Sequence, residues 1–307
     1  MNDQKEFKEL SNEWLNLKKL SVKHSTYIKY KNITHLYLDD VFNNKDIDEY
    51  TETDYYQLFY NLSHQFHLSN SVLKSIYIVL KGILTYGQSQ YHLNIHCPKI
   101  PLPASKKEIH VLTKEETCIL SSYCRSKTNI TTLAVFISMY TGMRLGEICG
   151  LKWEDIDLDK GIIHVSRTVQ RIENDQNDHF KTSKMIFEPK TQSSKREIVL
   201  TDFLIEYLKS YQSLYETDNT FYILSNSLNI PEPRNIQRRF KRLCKRLNIN
   251  MNFHSLRHSF ATNCLSYGID IKIISETLGH SNISTTMNLY VHPTLDFKRE
   301  QMNKIPI

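Results

Sequence analysis

Residues 97 to 113 read CPKIPLPASKKEIHVLT, and three prolines, Pro98, Pro101 and Pro103, fall within six residues. Proline has no backbone donor and fixes φ near about −65°, so such a run ends helix and strand alike. The residue pattern differs on its two sides, which makes the segment a semi-extended linker between domains rather than a loop inside one. The 307-residue chain therefore divides into a domain at 1–97, a linker at 98–109 and a second domain at 110–307, each of ordinary domain size.

The first domain is helical in pattern throughout. Phe7, Leu10, Trp14 and Leu17 line one amphipathic face, and His24 to Val41 form a second helix with Ser25 as its N-cap. A third helix opens at Thr53, and a fourth runs from Ser71 to Tyr86–Gly87. Four helices on short connections make a compact bundle. Lys18, Lys19, Lys23, Lys29, Lys31, Lys74 and Lys81 dot the polar faces, where a solvated surface accounts for them as readily as a polyanionic partner.

The second domain is mixed. Thr113 with Glu116 is a capping box that restarts helix. Leu133 to Tyr140 is a buried helix stopped by Thr141–Gly142. The helix after it turns Leu145, Ile148 and Leu151 inward, which leaves Arg144 in its first turn and Glu147 one turn on; alone, the pair reads as a surface bridge. Ile162 to Val165 form a strand, and Met185–Pro189 with Glu197–Leu200 read as a hairpin around the polar tip PKTQSSKR. Glu173 to His179 lack periodicity and read as a loop. From Arg234 to Leu247 a helix points Ile236, Phe240, Leu243 and Leu247 inward. Arg238, Arg239, Lys241, Arg242, Lys245 and Arg246 fill its other faces, a density of cations that repels itself unless an anion lies close. The fold class is mainly α with a small antiparallel sheet.

From Phe253 to Tyr290 the chain reads as three short helices, divided at Gly268 and Gly279 and restarted by Asp270. His254, Arg257, His280 and Tyr290 stand off their apolar stripes. An arginine fork matches phosphate oxygens, a histidine donates and can move a proton, and a tyrosine hydroxyl attacks once its phenolate is stabilised. Any one of them alone would be read as structural. The order His-x-x-Arg-His at 254–258, Leu-Gly-His-Ser at 278–281 and Tyr290, preceded by TGMRLGEICGLKWEDID at 141–157, resembles the tyrosine recombinases of the phage integrase family.

That resemblance spans about residues 110–292 and implies a two-domain recombinase, with a helical core-binding domain that closes over DNA and an α-rich catalytic domain with a C-terminal docking tail. It implies that Tyr290 attacks a phosphodiester to give a 3′-phosphotyrosyl intermediate, with Arg144, His254, Arg257 and His280 on the phosphate and Glu147 orienting the site. The family's lysine beside the hairpin turn matches Lys190 best, with Lys184 and Lys195 as rivals. Arg238, Arg239, Lys241, Arg242 and Lys245 are the candidate DNA contacts. The partners implied are double-stranded DNA recombination sites and further copies of the chain in a tetramer on DNA, with room for an accessory bending or directionality factor. No metal and no cofactor is called for, because protein cations take the metal's role and the ester keeps the bond energy.

Composition agrees with this class. The formal charge is +6 and the pI about 8.8, which favours a polyanionic partner. Six scattered cysteines without a C-x-x-C pair suit reduced thiols in a cytoplasm, in association with the nucleoid. No apolar run approaches the roughly 18 residues of a membrane span. The competing readings are a type IB topoisomerase, a metal hydrolase on His254 and His258, and a DNA-binding architectural protein without catalysis. Within the recombinase class a phage or mobile-element integrase is preferred over a chromosome-dimer resolving enzyme, from the polar insertion at Glu173 to His179.

Overall fold

Four apolar helix stripes build the first unit of the computed structural model, which describes residues 6–42, 46–103, 110–173, 182–188, 195–215, 217–280, 282–287, 299, 302 and 303. The chain divides into two compact units, residues 1–107 and 108–307. In the first, α1 (Phe7–Ser21), α2 (His24–Tyr37), α3 (Glu52–His64) and α4 (Asn70–Tyr91) enclose Leu10, Trp14, Ile28, Tyr55, Phe59, Ile76, Leu80 and Ile83. Phe7 and Phe42 stack with ring centroids 4.7 Å apart.

The helix ends differ from the sequence expectations for local reasons. Lys23 rather than Ser25 occupies the cap of α2, with no side-chain bond. The cap of α3 is Thr51, whose backbone N–H donates to Asp54 Oδ2 at 2.7 Å. Gly87 does not end α4. It sits where Leu10 and Ile95 approach the helix closely, and the left-handed residue that ends the helix is His92. Leu17 is half exposed and Leu15 takes its place in the core.

The second unit begins at α5 (Lys114–Ser126). Thr113 Oγ1 accepts the Glu116 N–H at 3.1 Å and Glu116 Oε2 accepts the Thr113 N–H at 2.9 Å, the capping box read from the sequence. Around α6 (Ile130–Thr141) lie α7 (Leu145–Gly150), α8 (Asp202–Ser213), α9 (Pro233–Arg246) and α10 (Phe253–Ser266), followed by α11 (Ile271–Leu278) and α12 (Ile283–Met287). Residues 131–138 of α6 are all buried, which is why that helix is apolar on every face. Among the described residues no helix is long and apolar enough to cross a membrane.

The strands are β1 (Ile156–Asp157), β2 (Ile162–Val165), β3 (Thr168–Glu173), β4 (Thr182–Phe187) and β5 (Arg196–Val199). They form an antiparallel sheet in the order β1-β2-β5 and a separate pair β3-β4. This corrects the expected hairpin of Met185–Pro189 with Glu197–Leu200. β5 pairs with β2, placing Ile198 opposite Ile163 in the core, and β4 pairs with β3. The misleading signal was Met185 and Ile186, which are apolar but exposed. Val169 and Ile172 of β3 are buried instead. The loop expected at Glu173–His179 follows β3, and residues 174–179 of it lie outside the described residues.

Gly142 ends α6 at φ +65°, and a Cβ there would come within 2.6 Å of both Leu278 and Phe260. An L-residue in that conformation costs about 1–2 kcal/mol, and overpacking adds about 1–3 kcal/mol. Gly142→Ala should therefore destabilise the second unit by roughly 2–5 kcal/mol in denaturant unfolding, by those same terms. Wild-type stability would mean that the α6–α11 contact is looser than described.

Candidate active site

The site forms where the C-terminal ends of α6 and α11 meet α7, α10 and β5. Arg257 projects from α10 with only 3% of its surface exposed. One guanidinium nitrogen donates to the Gly142 carbonyl at 2.8 Å and another to the Leu278 carbonyl at 2.7 Å. These are carbonyls at helix C-terminal ends, which have no partner within the helix and carry the negative end of the helix dipole. A buried cation is stable there because both helices present it with partial negative charge.

Arg144 is the N-cap of α7 rather than a first-turn residue. Glu147, three residues on, accepts the Arg144 backbone N–H at 2.9 Å and Arg144 Nη1 at 2.9 Å. The surface-bridge reading does not describe this pair, since Glu147 is 6% exposed. The same carboxylate accepts two further bonds from Arg196, at 3.0 Å and 3.3 Å. Burial alone would push the Glu147 carboxyl up, but Arg196 and Arg144 outweigh it and hold it below the ordinary carboxylate range.

His280 follows the Gly279 cap of α11 and shares a 2.7 Å hydrogen bond through Nδ1 with the buried Thr286 hydroxyl. Burial first, then Arg257, Arg144 and Arg196, pull its pKa down to about 4. His254 is pulled to about 4 by burial, His258, Arg257 and Arg144. Its edge is solvent-exposed, so screening weakens that repulsion more than at His280. His254 and His258 pack edge to face, with centroids 4.7 Å apart, rather than converging as a ligand pair. Arg257 is lowered to about 9 by burial and by Arg144 and so stays charged at neutral pH. Among the described residues the cluster thus holds three guanidiniums, one carboxylate and neutral imidazoles. Such a local surplus of positive charge fits an anion.

Of the residues expected from sequence, Arg144, Glu147, His254, Arg257 and His280 come together here, close enough to act on one another's charge. Lys190 and Tyr290 lie outside the described residues, as does most of the segment after residue 290. Of the rival lysines, Lys184 donates to the Ile230 carbonyl at 2.6 Å, and Lys195 pairs with Glu188 at 3.1 Å. The residue that sequence reasoning missed is Arg196. It shares the inward face of β5 with Ile198, and that period of two was its signal; it was submerged in a segment read as a polar tip.

On α9, Arg238, Arg239, Lys241, Arg242 and Lys245 are all exposed, while Ile236, Phe240, Leu243 and Cys244 are buried. A groove of about 670 Å³ beside it is lined by Arg171, Glu232, Arg234, Arg238 and Lys241.

The profile of the phage integrase family matches residues 110–296, and that of the phage integrase N-terminal SAM-like domain matches residues 6–62. The chain is 28% identical to the XerC-like tyrosine recombinase of Caldanaerobacter subterraneus subsp. tengcongensis, over 92% of this chain and 78% of that protein. The Tn1549 transposon integrase, solved with transposon right end DNA, superposes with a TM-score of 0.77 at 21% identity, covering 98% of this chain and 99% of that one. The lambda integrase tetramer on a Holliday junction gives a TM-score of 0.69 at 16% identity, over 94% and 78% of the two chains.

The depressed histidines predict a pH dependence. Unfolded histidine takes up a proton near its ordinary pKa of about 6.5, while folded His254 and His280 do so only near 4. The unfolded state therefore binds more protons across that window, and stability must fall as pH drops from about 6.5 towards 4. The melting temperature of the DNA-free protein should decline over that range, and less steeply in His280→Gln. An identical slope in the variant would show that His280 is not held neutral.

Proposed function

The chain belongs to the phage integrase family as a tyrosine-type site-specific recombinase, and we propose that it cuts and rejoins double-stranded DNA through a 3′-phosphotyrosyl intermediate. The observation that carries this is the excess of guanidinium charge where the buried Arg257 and Arg196 meet the partly exposed Arg144. A phosphodiester supplies the missing anion, and charge developing on its oxygens in the transition state is held by donors that are already in place. Arg144 and Arg257 bind the non-bridging oxygens, assisted by His254. With Nδ1 of His280 engaged by Thr286, its Nε2 is the nitrogen that faces the phosphate.

Tyr290 Oη gives its proton to a neutral imidazole of the site and attacks phosphorus, the bond to the 5′ oxygen breaks, and Lys190 gives that oxygen a proton to leave a 5′-hydroxyl. Rejoining reverses these steps with a 5′-hydroxyl from the partner duplex. The exposed cations of α9 lie on the phosphate backbone, which gives affinity without sequence choice. The first unit closes over the DNA, and four copies assemble on two sites, with the segment after residue 290 docking on a neighbour. A phage or mobile element is the setting this reading favours over chromosome-dimer resolution.

The test uses a nicked duplex carrying the sequence that the protein selects from a random pool. Tyr290→Phe removes one oxygen, so DNA binding should survive and the covalent adduct should vanish. Lys190→Ala should slow cleavage by roughly 10²–10⁴-fold, the worth of a positioned acid. A sulfur at the 5′ bridging position leaves without a proton because a thiol is far more acidic than an alcohol. It should restore cleavage in Lys190→Ala and not in Tyr290→Phe. Rescue of Lys184→Ala or Lys195→Ala instead would reassign the acid, and an adduct with Tyr290→Phe would overturn the mechanism.

A further inference from the structure

Arg196 opens β5 and is 6% exposed on its side chain, as is the Glu147 side chain it binds. Nη2 donates to Glu147 Oε2 at 3.0 Å, Nη1 to Glu147 Oε1 at 3.3 Å and Nε to the Thr277 carbonyl at 2.6 Å. Three of its five N–H groups thus donate to protein groups, which places Arg196 to organise the site. We propose that Arg196 is a positioning residue that, by bridging Glu147 and the last turn of α11, holds Arg144 and His280 at the spacing a phosphodiester needs. The proposal rests on the phosphotyrosyl reading of this site and deepens it.

The geometry links three stretches distant in sequence. Glu147 holds Arg144 twice, through the backbone N–H that starts α7 and through the guanidinium. A carboxylate paired with Arg144 alone would spend its whole charge on that arginine and dull its pull on a substrate. Sharing both oxygens with Arg196 divides that charge and leaves Arg144 with net positive field. At the other end, Thr277 and Leu278 give their carbonyls to Arg196 and Arg257 respectively, and Gly279 and His280 follow at once. Two arginines on neighbouring carbonyls fix where α11 ends, and hence where the imidazole starts. Lysine could neutralise Glu147, but it has no planar fork to reach the carboxylate and the carbonyl together.

Positioning through Glu147 has a signature in pH. The charged groups around that carboxylate are Arg144 on α7, Arg196 on β5 and Arg257 on α10, with His254 and His280 beside those arginines. Without Arg196 the carboxylate keeps Arg144 as its bonded partner while its burial still favours the neutral acid. It then takes up a proton at higher pH and ceases to accept both bonds from Arg144. A residue needed only for folding would lower the amount of active protein and leave the profile where it was.

The full chain and its Arg196→Met and Arg196→Lys variants are compared on the nicked duplex that the wild-type protein selects, in single-turnover adduct formation from pH 5 to 8.5. DNA binding and melting temperature are measured alongside. In Arg196→Met the rate at pH 7.5 should fall by roughly 10²-fold, the usual cost of misplaced catalytic groups, and the acid limb should move up by at least about one pH unit. Arg196→Lys should lose at least about ten-fold in rate for want of the fork, with its acid limb at the wild-type position. Equal rates and acid limbs in all three proteins would overturn the proposal while leaving the phosphotyrosyl reading intact. A wild-type protein that binds its duplex but forms no adduct would sink that reading, and the proposal with it. If Arg196→Met does not fold, Arg196→Lys decides: a ten-fold loss at unchanged melting temperature supports positioning, and a wild-type rate refutes it.

Discussion

The second unit depends on a buried guanidinium held by two helix ends. Arg257 bonds the carbonyls of Gly142 and Leu278, so α6, α10 and α11 are tied at one point. The contact reconciles two demands that ordinarily conflict. A charge out of water is costly unless it is paired, yet a cation committed to a carboxylate has little left for a substrate. Helix C-terminal carbonyls resolve the conflict with partial charge and geometry, without a full opposing ion. Gly142 is part of the same solution. Its left-handed turn presents the carbonyl, and the missing Cβ leaves room for Leu278 and Phe260.

Charge then accounts for the rest of the site. Glu147 is the acid bonded to the arginines, and it serves two of them at once while also starting α7. The histidines are held neutral first by burial and then by the positive charges beside them. They can therefore donate to a phosphate without adding repulsion before it arrives. An incoming diester would raise their proton affinity and tighten the same bonds that oppose its negative charge. Substrate binding would thereby drive the polarisation that an in-line displacement needs.

Much of the candidate site was legible through the family resemblance, because each of its residues taken alone reads as structural. His254, Arg257 and His280 stood off apolar stripes, and Arg144 with Glu147 stood at the start of a helix whose inward face was plain. Capping chemistry is local, which is why Thr113, Asp270 and Gly279 were read at their true positions. Strand pairing is not local. The apolar run at Met185 and Ile186 looked like core until the register put β4 on β3 and gave the core to Ile198. Arg196 was missed for the same reason, because its inward direction depends on which strand it pairs with. Gly87 shows the converse case. A glycine near a helix end reads as a cap, whereas a neighbouring helix needed the space.

The central claim is that this cluster holds a phosphodiester for attack by a tyrosine of the same chain. The most direct measurement is the identity of the bond formed: the covalent product on a nicked duplex, digested with protease and nuclease and mapped by mass spectrometry. The account predicts a nucleotide joined through its 3′-phosphate to the peptide containing Tyr290, with a free 5′-hydroxyl on the released strand. Attachment through a 5′-phosphate, linkage to a different side chain, or a plain nick with no protein attached would contradict it.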